Sequence, residues 1–208
     1  MKDERLCRDH ELKQNPKSSD ELESSVILQS RHNPRYLKAI QDYLGKERTW
    51  KRCFHSGAPG FNQTAFHLLC DSKGPTVTIV RVDDFIFGGY IDVSWKSYKK
   101  NCPSVTSDHA FLFSLYNVYG FKPYKFKIKP RNAIAAYHCA RFGPAFGHGF
   151  DLVLYPGPTM SYTRCASYEQ PPNCTCSAKP VCTFYTGKTS FIPSDVEVFY
   201  ELVGGVDP

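Results

Sequence analysis

Four cysteines near the end of the sequence have the types and spacing to carry chemistry: Cys165, Cys174, Cys176 and Cys182. Their segment, residues 156–188, is rich in Pro, Ser and Thr, and we expect it to form mostly a long loop. A structural zinc site would favour paired Cys-x-x-Cys motifs, which these spacings do not match. The remaining chemistry is that of thiols, with Cys174 and Cys176 as possible redox residues and Lys179 as the nearest cation in sequence.

Other motifs of catalysis or nucleotide binding are incomplete in this sequence. The tripeptide Gly-Lys-Thr at 187–189 resembles the end of a phosphate-binding loop, but the first glycine of that loop is missing. None of the seven histidines lies in the local signature of a hydrolase or a zinc protease. The pair Asp83-Asp84 is typical of a turn. The sequence therefore predicts no catalytic residue, no metal site and no cofactor.

Two adjacent glycines, Gly88 and Gly89, interrupt the apolar run FIFGGYIDVSW at residues 85–95. A ligand-binding loop would place several backbone N–H groups at the start of a helix, whereas these glycines follow strand-forming residues. Such glycines indicate a bulge, a tight bend or the close approach of another part of the chain. The glycine-rich stretch FGPAFGHGFD has the same character.

Composition indicates a globular chain with no membrane span. Its 208 residues are 41% hydrophobic, which is enough for one domain with its own core. The net charge of +6 is spread along the chain, so we do not expect nucleic acid as a partner. The N-terminal 20 residues lack the apolar core of a secretory signal, which predicts a cytoplasmic protein. In that compartment, most of the nine cysteines are expected to be free thiols.

The elements that must position these residues begin with helices. Residues 1–20 are interpreted as a flexible arm and residues 21–46 as a leading helical segment. In this segment Asn33 can cap a helix that has Pro34 in its first turn and ends at Gly45. One face of that helix would carry four apolar side chains, at Tyr36, Leu37, Ile40 and Leu44.

A second helix is predicted after Asn62, which can cap it, with three side chains facing inward: Phe66, Leu69 and Cys70. Residues 76–90 then read as an antiparallel hairpin of branched and aromatic residues. The strong apolar run at 109–118 predicts a strand that is buried on both faces.

The last strands are expected to have one solvated side. Residues 124–130 alternate lysines with apolar residues, as in the outer strand of a sheet. The final strand, residues 196–203, is expected to turn Glu197 and Glu201 outward. Early helices followed by consecutive strands predict an α+β fold that is mainly β.

Several motifs, in order, resemble the TLDc domain family, also called the oxidation resistance domain. They run from about Trp50 to Glu201 and include FIFGGYIDVSW, DHAFLFSLYN, FGPAFGHGFDLVL and FIPSDVEVFYE. The resemblance implies a two-sheet antiparallel β-sandwich flanked by a few helices, with the TLDc-like domain at residues 47–208. The residues that match the family's motifs are Gly88, Gly89, Tyr90, Trp95, Gly143, Phe146, Gly147 and Glu197.

The resemblance also implies a function. Family members are linked to resistance against oxidative stress, and several bind the cytosolic catalytic sector of the vacuolar proton pump. No catalytic residues can be carried over from the family. We therefore expect a non-catalytic protein-interaction module whose candidate partners are subunits of that pump. A thiol-based antioxidant enzyme that uses the loop cysteines, and an adaptor domain of a larger assembly, remain as alternatives.

Overall fold

The computed structural model describes residues 20–30, 33–45, 48–57, 60–130, 133–176 and 181–203. Within these ranges the chain forms two six-stranded antiparallel sheets, a two-stranded ribbon and three short α-helices. The predicted architecture, mainly β with a few flanking helices, is confirmed. The arm predicted at residues 1–20 lies outside the described residues except for its last residue, Asp20.

The helical elements come first along the chain, and most strands follow them. A 3₁₀ turn, Glu21–Ser24, precedes α1 (Val26–Gln29) and α2 (Pro34–Leu44), while α3 (Gln63–Cys70) follows the first strand. The strands are β1 (Thr49–His55), β2 (Thr76–Val82), β3 (Phe85–Ile91), β4 (Ser104–Thr106), β5 (Phe111–Tyr116), β6 (Tyr124–Lys127), β7 (Ile134–Tyr137), β8 (Ala145–Phe146), β9 (Leu152–Val153), β10 (Ser161–Thr163), β11 (Cys174–Thr175), β12 (Val181–Cys182), β13 (Ser190–Phe191) and β14 (Asp195–Leu202).

The two large sheets pack face to face and enclose the main hydrophobic core. The first sheet has the strand order β1-β14-β2-β3-β5-β6, the second has the order β13-β10-β9-β8-β7-β4, and β11 pairs with β12 in the ribbon. Val80 and Phe87 of the first sheet share this core with Phe146 and Leu152 of the second. The two-sheet sandwich implied by the family resemblance is therefore present.

The outer face of the first sheet is also buried, because the leading helical segment covers it. In α2, Asn33 accepts a hydrogen bond from the backbone N–H of Arg35 at 3.1 Å, and Gly45 ends the helix. The predicted face of α2 packs on the sheet, with three buried side chains, Tyr36, Ile40 and Leu44, and the half-buried Leu37. The predicted caps and inward face of this helix are confirmed.

The predicted strands also form, with one difference in the long loop. β2 and β3 make the antiparallel hairpin, β5 is buried on both faces, and β6 is an edge strand with Phe126 buried and Lys127 exposed. The segment 156–188 was predicted to be mostly a loop, but it contributes β10 to the second sheet and forms the β11–β12 ribbon. These strands have two or three residues each, too few for a visible hydrophobic period.

The inward face of α3 differs from the prediction at one position. Asn62 caps the helix, and Phe66 and Cys70 are buried, but Leu69 is 46% exposed. A disulfide joins Cys70 to Cys53 on β1 and fixes the rotation of the helix. Adjacent helical residues point about 100° apart, and with Phe66 and Cys70 fully buried Leu69 lies at the border of the inward face.

The expectation of mostly free thiols is wrong for the described residues. Eight cysteines form four disulfides, Cys53–Cys70, Cys102–Cys139, Cys165–Cys176 and Cys174–Cys182. The bonded partners are between 8 and 37 residues apart in sequence. Pairing at such separations depends on how the strands fold back on one another, which cysteine spacing alone does not show.

The adjacent glycines of β3 allow two close approaches. A Cβ added to Gly88 would overlap the backbone carbonyl oxygen of Thr78 on β2. A Cβ added to Gly89 would lie 2.8 Å from the ring of Phe146, on the opposite sheet. Real side chains do not come this close, so these two positions require glycine for the packing of neighbouring strands and of the two sheets.

His67 connects α3 to the loop before β8. Its Nδ1 lies 2.8 Å from an Asp71 carboxylate oxygen, and its Nε2 lies 3.1 and 2.9 Å from the carbonyl oxygens of Cys139 and Phe142. Burial opposes the charge on the ring, but the hydrogen bonds to Asp71 and to the two carbonyls outweigh it and raise the pKa of His67. The charged imidazole can donate from both ring nitrogens at once.

Replacing Gly88 with Ala is expected to lower the free energy of unfolding by about 3 kcal/mol, because the added methyl group meets backbone that cannot rotate away. Urea denaturation measures this change. The control is Gly149→Ala, where φ is +69° but the space is open, so only a cost of about 1 kcal/mol is expected. Equal losses in the two variants would contradict the close-contact explanation.

His67 is expected to make stability depend on pH. Its pKa is raised in the folded protein, so its contribution is fully present below the unfolded pKa and is lost as the pH rises through the folded value. The difference in melting temperature between the wild type and His67→Gln should therefore be larger at pH 5.5, about 1 unit below the ordinary histidine pKa, than at pH 8.5, about 2 units above it. A difference that does not change with pH would contradict this role.

Candidate functional site

The residues that match the family motifs do not surround a common pocket. Gly89 and Phe146 lie at the contact between the two sheets, whereas a Cβ on Gly88 would point to the other face of the first sheet, toward Phe113. Trp95 is 1% exposed, packs edge-on against Phe146 with ring centroids 5.5 Å apart, and donates from Nε1 to the hydroxyl of Thr76 at 2.8 Å. These motif residues set the spacing of the sandwich.

Two other motif glycines leave room for neighbouring side chains. A Cβ on Gly143 would overlap the ring of Phe61, and one on Gly147 would overlap the carboxylate of Asp151. That carboxylate accepts backbone N–H groups from three successive residues, Ala166, Ser167 and Tyr168, at 2.8 to 3.1 Å. Burial raises the pKa of Asp151, while the backbone hydrogen bonds oppose the rise. Gly147 thus lets Asp151 anchor the start of the cysteine-rich segment.

Tyr90 faces a cleft of about 370 Å³ between the end of α2 and the first sheet. Arg48 donates from Nη1 to the Tyr90 hydroxyl at 3.1 Å and to a carboxylate oxygen of Glu201 at 2.9 Å. Lys125 donates to the carbonyl oxygen of Tyr43 at 3.1 Å, and burial lowers the pKa of its ammonium group. These contacts tie the end of α2 to the sheet.

Glu197 is completely buried, which corrects the prediction that it points outward. One carboxylate oxygen accepts the Ser25 hydroxyl at 2.5 Å and the N–H of Ile27 at 3.1 Å. The other accepts the N–H of Val26 at 3.3 Å and Arg52 Nη1 at 2.6 Å. The strand period was predicted correctly, but the face that it assigned to solvent lies under the leading helical segment.

The leading helical segment also covers the outer edge of β1. Asp20 accepts the backbone N–H of Trp50 at 3.1 Å, and Glu21 accepts that of Arg52 at 2.9 Å. Burial raises the pKa of Asp20, against the effect of its backbone hydrogen bonds. Carboxylates that occupy the N–H groups of an edge strand leave fewer groups to pair with another strand.

The possible redox residues Cys174 and Cys176 are not bonded to each other. Cys174 is joined to Cys182 and Cys176 to Cys165. In this disulfide state neither sulfur is the thiolate that attacks a peroxide. Among the described residues, no three His, Cys, Asp or Glu side chains are grouped as metal ligands would be.

A cluster of exposed aromatic residues was missed by the sequence analysis. Tyr119, Phe121 and Tyr124, which we call the aromatic platform, are 45 to 48% exposed in the turn between β5 and β6 and at the first residue of β6. Phe121 and Tyr124 line a cleft of about 500 Å³ together with Pro172. The sequence does indicate this cluster, because several aromatic residues stand close together in a turn, where exposed polar residues are usual.

The buried side chain of Asn117 holds this turn in one conformation. Its Oδ1 accepts the N–H groups of Tyr119 and Phe121, each at 3.2 Å. Its Nδ2 donates to the carbonyl oxygen of Phe121 at 3.1 Å and to the hydroxyl of Ser114 at 3.3 Å. The platform is therefore presented by an ordered turn, and little conformational entropy is lost if a partner binds it.

The fold and the motif residues define a small β-sandwich protein with a helical layer on one sheet. The sequence model of the TLDc domain matches residues 22–201, and the chain belongs to the TLDc domain family. The resemblance found from the separate motifs is confirmed. A comparison with curated proteins gave no match. None of the helices in the described ranges is long and apolar enough to cross a membrane.

Replacing Glu197 with Ala is expected to lower the free energy of unfolding by about 3 kcal/mol, because the donors on α1 lose a buried acceptor. Chemical denaturation checks this value. The matched control is Glu201→Ala on the same face of β14, where both partners of the Arg48 ion pair have solvent contact and about 1 kcal/mol or less is expected. A Glu197 variant no less stable than the Glu201 variant would refute the anchoring role.

Proposed function

We propose that this TLDc protein is a protein-interaction module without catalytic activity and that the aromatic platform is its contact surface. One observation carries the proposal: three large aromatic side chains, each at least 45% exposed, stand together on a turn that a buried asparagine orders. Clustered exposed apolar groups are typical of binding surfaces, and aromatic residues dominate the binding energy of interfaces.

The surroundings of the platform define the kind of protein surface that fits it. The adjoining cleft can accept one apolar side chain of a partner, and Lys122 at its border supplies positive charge. An apolar anchor flanked by acidic residues on the partner would match both features.

Membership of the TLDc family supports a more specific proposal. The partner would be a subunit of the cytosolic catalytic sector of the vacuolar proton pump, and binding would support resistance to oxidative stress. Binding to that sector would require the protein to be in the cytoplasm. Stable disulfides are typical of oxidising compartments, whereas in the cytoplasm they are mostly transient and respond to redox conditions. In a cytoplasmic protein, the four disulfides would therefore be of the transient, redox-responsive kind.

The test measures binding of the purified full chain to the purified cytosolic sector of the pump by isothermal titration calorimetry under non-reducing conditions. The double variant Phe121→Ala/Tyr124→Ala should bind at least about tenfold more weakly, because truncating an interface anchor costs more than 1 kcal/mol. The control is Leu68→Ala, which removes a side chain that is 83% exposed on α3, away from the platform, and should bind like the wild type.

Two results would contradict the proposal. Wild-type binding that the platform variant retains would place the contact elsewhere, and absence of wild-type binding would exclude the pump sector as the partner. Circular dichroism and melting curves of the variants establish that a loss of binding is not a loss of fold. Peroxide turnover by the wild type with a dithiol reductant would instead favour the thiol-enzyme alternative.

A further inference from the structure

We propose that the disulfides of the cysteine-rich segment, above all Cys174–Cys182, are a redox-controlled brace for the aromatic platform. With the disulfides closed, the platform is held in its binding conformation; with the disulfides open, it loses its support. This inference rests on the proposed function of the platform as a contact surface, and it names the regulation of that surface.

Phe184 of the cysteine-rich segment packs against the buried side of the aromatic platform. This ring is fully buried and stacks on Phe121, with centroids 5.9 Å apart and planes 16° apart. It also contacts the ring of Tyr119 at 6.2 Å. The hydroxyl groups of Tyr119 and Thr183 lie 3.2 Å apart, within hydrogen-bond distance. Two of the three platform residues therefore depend on residues 183 and 184 for their position.

The Cys174–Cys182 disulfide fixes both arms of the ribbon that brings these residues into place. Cys174 and Cys182 are directly opposite each other in the β11–β12 pair. Pro172, two residues before Cys174, lines the platform cleft, and Phe184 lies two residues after Cys182. A two-stranded ribbon with two residues in each strand is not stable by itself. The cross-link therefore acts together with the core packing of Cys174, Cys182 and Phe184 to keep the two arms in place.

The four sulfur atoms differ in access, which gives the reaction an order. Cys165, Cys174 and Cys182 are at most 5% exposed, whereas Cys176 is only partly buried. A thiolate of a dithiol reductant attacks Sγ of Cys176, and Cys165 leaves as a thiolate that takes up a proton. The second thiol of the reductant then displaces Cys176 as a thiol and closes the reductant's own disulfide.

The same exchange at the more deeply buried Cys174–Cys182 disulfide follows, and the ribbon loosens when this second disulfide opens. Each opening converts one protein disulfide and one dithiol into two protein thiols and one oxidised reductant, so atoms and electrons balance. Oxidation reverses both steps and restores the brace. The platform would thus be assembled under oxidising conditions, which gives the disulfides of a cytoplasmic protein a role.

The experiment is amide hydrogen exchange, read by mass spectrometry, on the full chain with and without dithiothreitol. The N–H groups of Tyr119 and Phe121, bonded to Asn117, report on the platform. The variant Cys174→Ser/Cys182→Ser should exchange at least tenfold faster over residues 117–124 without reductant. The matched control, Cys53→Ser/Cys70→Ser, removes the disulfide between β1 and α3 and should keep wild-type protection there.

Unchanged protection of residues 117–124 in the Cys174/Cys182 variant would overturn the proposal, as would an equal loss in the control variant. If the variant does not fold, the wild type is titrated with dithiothreitol and alkylated to identify which disulfides are open. Loss of protection must then follow the opening of Cys174–Cys182, and loss before that opening refutes the brace. Because no partner is present, the result is independent of binding to the pump sector.

Discussion

A buried carboxylate joins the beginning and the end of the described chain. Glu197 lies on the last strand, yet its oxygens accept hydrogen bonds from the start of α1 and from Arg52 on the first strand. A charge in such apolar surroundings is tolerated only because each oxygen has donors. This requirement fixes where the helices dock, and their docking turns the first sheet into an inner layer of three.

An inner sheet has consequences for every residue on it. Its strands must be largely buried on both faces, as β2 and β5 are. The neighbouring strands and the layers above and below must also pack closely against it. The glycine pair of β3 meets this need without a ligand, which explains why glycines stand inside an apolar run. Exposed side chains of the first sheet then lie mainly at its turns and edges, and the aromatic platform is at such a turn.

Local patterns in the sequence were sufficient for α2 and α3 and for five strands, β2, β3, β5, β6 and β14. The caps at Asn33 and Asn62 and the apolar periods of α2 and β6 act over a few residues, so a sequence shows them directly. The burial of the second face of β14 could not be predicted, because it depends on a segment more than 100 residues away. The disulfide pairs and the support of the platform by Phe184 also depend on how the chain folds back on itself, which local patterns do not show.

The pairing of β1 with β14 has a kinetic consequence. The Ser25–Glu197 hydrogen bond spans 172 residues, and within the described residues β1 is an edge strand that pairs with β14. During synthesis the leading helical segment therefore emerges long before its docking site exists. The first sheet can close only after β14 has left the ribosome, and contacts of such long range form slowly. Until then the apolar faces of β2, β3 and β5 stay open to misassociation, so this chain should depend on chaperones early in its life.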